Sequence, residues 1–141
     1  MIREIRPPRY DGVRVLVAED SSINRRLSRL LLEMLGCTVT AVASGYQAVE
    51  AFRRTDYDVI LMNWQMPGLS GIAATEAIRN IEHARGSRSR IPILAVTAFA
   101  LPSDRNYCIR KGMDDCLIKP LRQHVLTEAL GRWLNVQSLS A

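Results

Sequence analysis

Short apolar runs alternate with amphipathic stretches along most of the chain. The apolar runs predict five strands, at 13–19, 37–43, 58–63, 91–98 and 114–119. The intervening and following stretches predict five helices, at 23–35, 44–55, 71–84, 102–112 and 122–134. Because successive residues of the runs are apolar, both faces of the strands should be buried, which is typical of a parallel sheet covered by helices on both sides.

Local signals support these helices. Ser44 and Gln47 have the spacing of a capping box, which predicts the start of the second helix. Gly36 is placed to end the first helix, and Pro102 lies in the first turn of the fourth. The alternating units predict an α/β fold, a flavodoxin-like doubly wound (βα)5 domain with a five-stranded parallel sheet in the order 2-1-3-4-5. The periodicity of the first helix places these apolar residues on one face: Ile23, Leu27, Leu30, Leu31, Met34 and Leu35.

Length and composition indicate one globular domain. The chain has 141 residues, of which 48% are hydrophobic and 23% charged. We expect the domain to span 13–136, with 1–12 as a linker or chain edge and 137–141 as a tail. No apolar run is long enough to cross a bilayer, and the N-terminus lacks the apolar core of a signal peptide. These features predict a cytoplasmic domain, whose parent chain could be anchored in the inner membrane.

Charge and cysteine content narrow the function classes. The net charge is +5, with arginines grouped near 25–29 and 85–90. Because no basic stretch is interleaved with aromatic residues and no helix-turn-helix signature is present, we expect a solvated or partner-facing basic surface and no direct nucleic-acid binding. Cys37, Cys108 and Cys116 are widely spaced. This spacing favours free thiols in a reducing compartment over a zinc site.

Polar residues stand where the predicted strands end. The first strand ends in Glu19 and Asp20, and the third ends in Asn63. The fourth ends in Thr97 and the fifth in Lys119. In a doubly wound sheet the carboxyl ends of the strands line one crevice, so we expect these side chains to converge. Two carboxylates with an amide oxygen suit Mg²⁺, and a hydroxyl and an ammonium can each contact a phosphoryl oxygen, so the set predicts metal-assisted phosphoryl transfer.

Three longer stretches contain these strand ends. They are VLVAEDSSINRR, VILMNWQMPGLSG and PILAVTAFALPSDRNYCIRKGMDDCLIKPL. Together they resemble the receiver domains of two-component response regulators, and the resemblance covers about 13–134. The amino-acid sequences of the second and third stretches are similar to those of receivers attached to hybrid sensor histidine kinases. The resemblance therefore implies a module of a bacterial phosphorelay.

The resemblance also implies a metal site and a phosphoacceptor. Glu19 and Asp20 resemble the acidic pair that holds Mg²⁺ directly or through water. Asn63 stands where the family has the aspartate that accepts phosphate from a phosphohistidine. Gln65 matches the position whose backbone carbonyl completes the metal site. The implied ligand set is thus Glu19, Asp20, Asn63 and Gln65.

Further residues match the family's switch and partner features. Thr97 resembles the switch hydroxyl, and Lys119 resembles the lysine that pairs with the phosphoacceptor. The peptide bond before Pro120 is often cis in the family. Cys116 stands where many receivers have an inward-swinging Tyr or Phe, so a switch here would use another group or be weak. The implied partners are a histidine kinase or histidine phosphotransfer domain, and an output protein or second copy at the surface of the fourth helix, fifth strand and fifth helix.

Asn63 is the main departure from the family pattern. A carboxamide is a poor nucleophile because its nitrogen lone pair is delocalised, so the chain should not accept phosphate at this position. We also expect weaker Mg²⁺ binding, since one nearby carboxylate is missing. Two origins stay open. The chain is either a natural pseudo-receiver or a receiver whose aspartate was changed to hold the unphosphorylated state.

Other function classes give different expectations. The alternative on the same fold is a phosphorylation-independent protein-interaction module. A flavin protein or an aspartate-nucleophile phosphatase is disfavoured, because EDSSIN is too acidic to cradle phosphate and AEDSS lacks a second suitable aspartate. We therefore expect no enzymatic activity from this chain, although a parent hybrid kinase would have one. His83 and His124 are interpreted as exposed, and Phe99 as a loop or core aromatic. Trp64 is either a gate or a packed side chain.

Overall fold

A computed structural model describes residues 9–86, 89–98 and 101–134. These residues form the strands β1 Arg14–Ala18, β2 Thr38–Val42, β3 Val59–Asn63, β4 Ile93–Thr97 and β5 Asp115–Ile118. They also form the helices α1 Ser22–Met34, α2 Gly45–Arg54, α3 Gly71–Ala84, α4 Pro102–Arg110 and α5 Gln123–Trp133. Each element lies where the apolar pattern predicts it, with small differences at the ends, as is usual for helix and strand boundaries.

The strands form one parallel sheet. Their order is β2-β1-β3-β4-β5, and every neighbouring pair is parallel. All residues of β3 and β4 are buried, as expected for central strands covered by helices on both faces. The predicted α/β fold, flavodoxin-like with order 2-1-3-4-5, is confirmed. Because all the strands run in the same direction, their carboxyl ends share one edge of the sheet.

The hydrophobic core has one part on each face of the sheet. Leu32 of α1 and Leu126 of α5 are fully buried in the first part. Phe52 of α2 and Ile78 of α3 lie in the second part, together with Cys108 of α4. This division is the one expected when right-handed crossovers place helices on both faces of a parallel sheet.

Helix α1 does not bury the face that its periodicity suggested. Ile23, Leu30 and Met34 are 77%, 57% and 59% exposed. Leu32 and Leu35 instead meet the sheet and are almost completely buried. The helical period identifies which residues share a side, but it does not identify which side meets the sheet. The six residues share one side of the helix, but only Leu31 and Leu35 of this set pack on the core.

The folded part of the chain begins earlier than the sequence suggested. Tyr10 lies in the segment 1–12 that was expected to be a linker, yet it is 2% exposed. Its hydroxyl donates to the carbonyl oxygen of Thr127 in α5 at 2.7 Å, and its backbone N–H donates to the carbonyl oxygen of Leu35. A domain boundary at residue 13 is therefore too late, because Tyr10 packs with the core.

A largely buried ionic cluster lies at the edge of the sheet where the strands begin. Arg79 of α3 donates to Glu82 at 2.8 Å and to Asp114 at 2.9 Å. Its guanidinium also donates to the carbonyl oxygens of Ile91 and Gly112. The planar guanidinium has five N–H donors, so it can satisfy these oxygens together. The cluster holds the turn before β4 to the turn before β5, at the end of the sheet away from the strand-end residues.

One property of the helices bears on the membrane prediction. None of the helices in the described ranges, 9–86, 89–98 and 101–134, has the length and apolar content needed to cross a membrane.

Candidate functional site

The predicted strand-end residues surround one cleft at the carboxyl edge of the sheet. The cleft has a volume of about 200 Å³. Its lining consists of Glu19, Asp20, Ser21, Asn63, Gln65, Thr97, Ala98 and Lys119. All the residues predicted for the site are therefore brought together, because β1, β3, β4 and β5 end at the same edge.

The side-chain nitrogen of Asn63 lies on the acidic side of the cleft. Asn63 Nδ2 donates to Glu19 Oε2 at 3.0 Å and to Asp20 Oδ1 at 2.9 Å. It also donates to the backbone carbonyl oxygen of Gln65 at 2.8 Å. Since all these neighbours are acceptors, the amide must present its NH₂ group to them and not its oxygen. Asn63 is only 5% exposed and Glu19 is also buried, whereas Asp20 is open to solvent.

Lys119 neutralises the more buried of the two carboxylates. Lys119 Nζ lies 2.8 Å from Glu19 Oε1, and Glu19 is 4% exposed. The other carboxylate oxygen of Glu19 also accepts the backbone N–H of Ser21 at 3.1 Å. A buried carboxylate needs such partners, because desolvation without them is costly. The lysine thus pairs with Glu19 here, whereas the family pattern implies pairing with the residue at position 63.

Thr97 and the turn after β5 form the far wall of the cleft. Thr97 ends β4 and is 8% exposed. Its carbonyl oxygen accepts the backbone N–H of Lys119 at 2.8 Å, which fixes the start of the turn. The Lys119–Pro120 peptide bond is cis, as the resemblance implies. A hydroxyl and an ammonium therefore face the end of β3 from the β4 and β5 side.

Close backbone packing positions the loop after β3. A Cβ atom on Gly71 would lie 2.1 Å from the backbone oxygen of Asn63, so only glycine fits there. The Gly71 N–H donates to the carbonyl oxygen of Trp64 at 2.8 Å, and Ser70 caps α3 by accepting the N–H of Ala73. The same loop carries Gln65, so these contacts hold the Gln65 carbonyl near the acidic pair.

Trp64 packs on α4 and does not line the cleft. Its ring stacks on that of Tyr107, with centroids 6.0 Å apart and planes inclined by 15°. Lys111 Nζ lies 5.6 Å from the centroid of the Tyr107 ring. Trp64 is half-buried, so the geometry favours a packed side chain over a gate. The contact joins the residue after Asn63 to the surface of α4.

Cys116, which the resemblance matches to the family's switch aromatic, lies in β5. It is half-buried and interacts with the buried Cys108 of α4. Burial, with smaller contributions from the neighbouring Cys116, raises the pKa of the Cys108 thiol to about 11. Burial also raises the pKa of Cys116. Both thiols are therefore neutral near pH 7 and behave as small apolar groups.

Asp115 joins α4, β5 and α5 beneath the predicted output surface. Its carboxylate accepts from Trp133 Nε1 and Arg132, both at 2.9 Å, and lies 3.2 Å from Arg105. Burial alone would raise the pKa of Asp115, which is 2% exposed. Hydrogen bonds from Trp133, Arg132 and the backbone N–H of Cys116 outweigh burial and hold the pKa below its usual value.

An exposed apolar stripe on α1 was missed by the sequence analysis. The α1 stripe consists of Ile23, Leu27, Leu30 and Met34, whose exposures are 77%, 36%, 57% and 59%. Helix α1 begins directly after the acidic pair, so the stripe starts beside the cleft. Exposed apolar groups that form a contiguous patch mark interaction surfaces. The spacing of four, three and four residues shows that these residues share a side of the helix, but it does not show that this side is exposed.

Both histidines of the chain lie away from the cleft. His83 of α3 and His124 of α5 are exposed, as predicted. Phe99 lies outside the described residues.

Comparison with known proteins identifies the family. A family model described as a response regulator receiver domain matches residues 15–131. The chain belongs to this family. The sensor protein GacS of Pseudomonas syringae pv. syringae is 42% identical over 120 residues, which are 85% of this chain and 13% of that protein. The chain thus spans about an eighth of the length of this curated relative.

Solved structures agree with this assignment. The receiver domain of sensor histidine kinase PA1611 from Pseudomonas aeruginosa, with a magnesium ion in its active-site cleft, is 43% identical with a TM-score of 0.77. The match covers 86% of this chain and 97% of that one. A chain in the co-crystal of the Saccharomyces cerevisiae phosphotransfer protein Ypd1 with the Ssk1 receiver domain gives a TM-score of 0.84, 28% identity and coverages of 91% and 92%. The chain is a receiver domain of two-component phosphorelay signalling.

The donor set of this receiver only partly fits a magnesium ion. The carboxylates of Glu19 and Asp20 and the carbonyl of Gln65 are the oxygen ligands that Mg²⁺ prefers. All of these oxygens, however, already contact Asn63 Nδ2. In the part of the chain that the structure describes, no group of three or more His, Cys, Asp and Glu residues could hold a metal. The ligands fit by type, but the amide nitrogen fills the point that they share.

Proposed function

We propose that this chain is the receiver module of a hybrid histidine kinase phosphorelay and that phosphoryl acceptance is blocked at residue 63. The observation that carries the proposal is the position of Asn63 at the end of β3, in a cleft that otherwise holds the expected groups. An aspartate there would offer a carboxylate oxygen as nucleophile. The amide of Asn63 has no comparable nucleophile, so no acyl phosphate forms.

The rest of the cleft supports a site that is disabled at a single side chain. Glu19 and Asp20 face the end of β3, and Lys119 and Thr97 lie opposite them. These are the groups that would orient a phosphoryl donor and neutralise its charge if residue 63 were an aspartate. The chain itself performs no catalytic turnover in this proposal, because its role is to accept a group and to present a surface.

The α1 stripe is the proposed docking surface for the histidine-bearing partner. Ile23 begins the stripe at the edge of the cleft, so a helix packed along α1 would bring its own side chains close to residue 63. Arg26 and Arg29 are exposed on the same helix and add positive charge beside the apolar residues. The structural similarity to a complex of a receiver with a phosphotransfer protein supports this partner class.

The surface formed by α4, β5 and α5 is the proposed contact for an output protein or a second copy. Its exposed apolar residues include Leu101, Ile109 and Ile118, at 65%, 48% and 53%. Asp115 ties the elements together beneath it through Arg105 and Arg132. These ion pairs would couple a shift of α4 to α5. Trp64 and Tyr107 provide the contact between α4 and the loop after residue 63.

The parent protein is inferred to be a bacterial hybrid kinase that keeps this module in the cytoplasm. Bacterial support comes from the sensor protein GacS of Pseudomonas syringae pv. syringae, of which the chain spans a small part, although a hybrid histidine kinase of Dictyostelium discoideum is also similar. The free thiols of Cys37, Cys108 and Cys116 support a reducing compartment.

A phosphorylation-independent interaction module is the second candidate function. It is favoured by the hydrogen bonds of the Asn63 amide, which hold the cleft together without a phosphoryl group. In that case the α1 stripe and the surface of α4, β5 and α5 would bind their partners without any change on phosphorylation. The response of an Asn63→Asp variant to a phosphohistidine donor distinguishes the two functions.

The test is a phosphotransfer reaction with a phosphorylated histidine phosphotransfer protein as donor. The unaltered chain and the Asn63→Asp variant are each mixed with the donor and Mg²⁺, and loss of donor label is followed. Transfer to the variant alone supports a receiver blocked at one side chain. Absence of transfer to both forms favours the interaction module.

A further inference from the structure

Oxygens from two segments of the chain converge on a single atom in the cleft. They belong to the Glu19 and Asp20 carboxylates and to the Gln65 carbonyl, and they lie 3.0, 2.9 and 2.8 Å from Asn63 Nδ2. Such a set of hard oxygen donors is typical of a divalent cation site. In this chain the shared point is taken by an NH₂ group, whose two N–H bonds are divided among three acceptors.

The amide also makes the cleft less negative than an aspartate at residue 63 would. Glu19 and Asp20 are two carboxylates, and Lys119 supplies one ammonium at 2.8 Å from Glu19, which leaves a net charge of −1. An aspartate at residue 63 would add a further negative charge, and a divalent cation would then be needed to neutralise the cleft. The amide removes that charge and supplies hydrogen-bond donors to the remaining carboxylates.

We propose that the Asn63 amide takes the place of a divalent cation and holds the acidic side of the cleft closed without metal. The NH₂ group cross-links β1, through Glu19 and Asp20, to the loop after β3, through Gln65. Mg²⁺ therefore competes with the amide for the same oxygens. The inference rests on the proposed function for the identity of residue 63 as the acceptor position. The amide then holds the unphosphorylated arrangement together in the absence of a divalent cation.

The opposite role for Asn63 is that of a metal ligand. If the amide turned its carbonyl oxygen inward, it would join the carboxylates around the cation, and Mg²⁺ binding would depend on it. The two roles predict opposite effects of removing the side chain. An Asn63→Ala variant loses a competitor in the first case and a ligand in the second.

The experiment is an Mg²⁺ titration by calorimetry of the unaltered chain, Asn63→Ala and Asn63→Asp, with no phosphoryl donor present. We expect Asn63→Ala to bind Mg²⁺ about fivefold or more tightly than the unaltered chain, because no charge-assisted hydrogen bonds must be broken. Asn63→Asp should bind more tightly still. Binding by Asn63→Ala that is equal to or weaker than that of the unaltered chain would overturn the proposal.

A second measurement needs no folded Asn63→Ala protein. The side-chain NH₂ resonances of Asn63 are assigned by their absence from the ¹⁵N spectrum of Asn63→Asp. In the unaltered chain we expect them to stay in place at Mg²⁺ concentrations that saturate Asn63→Asp. Their displacement at those concentrations would contradict a competing amide. Neither measurement uses a phosphohistidine donor, so failure of this inference is distinct from failure of the proposed function.

Discussion

The substitution Leu30→Ala in the α1 stripe should weaken partner docking without changing the phosphoryl-transfer chemistry at residue 63. Leu30 is 57% exposed and contacts a partner if the stripe is the docking surface. Complete burial of a leucine side chain contributes about 1.5–3 kcal/mol, so covering its exposed half contributes about 1–1.5 kcal/mol. Leu30→Ala should therefore weaken partner affinity about five- to tenfold. The stability of the domain should hardly change, because the side chain is already largely in water.

The assay compares two phosphoryl donors in the Asn63→Asp background. Transfer from a phosphohistidine protein requires docking, whereas transfer from a small acyl phosphate does not. We expect Leu30→Ala to raise the half-saturating concentration of the protein donor and to leave the acyl phosphate rate unchanged. Ile109→Ala on α4 is the matched control, since Ile109 is 48% exposed and lies on another surface. Equal losses with both donors, or equal losses in both variants, would refute the assignment of the stripe.

Further predictions concern stability and thiol reactivity. Arg79→Met should cost about 2–4 kcal/mol in urea unfolding, because it removes the cation shared by Glu82 and Asp114, although Glu82 keeps the Ile91 N–H and Asp114 keeps Arg90 and the Ile93 N–H. Arg54→Met should cost under about 1 kcal/mol because its ion pair with Glu50 is exposed. Similar costs for the two variants would contradict this. The pKa of Asp115 is lower in the folded domain than in the unfolded chain. The ionised carboxylate therefore stabilises the fold above its unfolded pKa, and this stabilisation is lost as the pH falls through its folded pKa. Asp115→Asn should accordingly make stability less dependent on pH below about pH 4, as measured by acid unfolding. Burial raises the pKa of Cys37 and Cys108 to about 11, so the folded domain should lose stability between about pH 9 and 11, and alkylation at pH 8 should spare both thiols.

The strand ends could be predicted because buried strands require continuous runs of apolar residues, which are visible in the sequence. The run that ends in Asn63 is apolar at every preceding position of β3, and the structure buries each of them. Glu19 and Lys119 could be placed on the same edge once the strands were known to be parallel, since only the fold class was needed. The cis bond before Pro120 was expected from the family resemblance, whereas the need for glycine at residue 71 depends on a close backbone approach that the sequence does not reveal.

Other features depend on three-dimensional contacts that carry no local signal. The side of α1 that meets the sheet is set by the angle at which the helix packs, so the exposure of Ile23 and Leu30 could not be read from periodicity alone. Tyr10 packs with α5 through a contact that is distant in sequence. The orientation of the Asn63 amide follows from acceptors contributed by two separate segments, and the stacking of Trp64 on Tyr107 depends on where α4 lies.

The central claim is that one side chain separates this domain from a working receiver. The most direct test is intact-mass analysis of the unaltered chain and of Asn63→Asp after incubation with Mg²⁺ and a small acyl phosphate. We expect a gain of one phosphoryl group in Asn63→Asp and no gain in the unaltered chain. A gain in the unaltered chain would contradict the account and would point to another acceptor, with Asp20 the first to be examined.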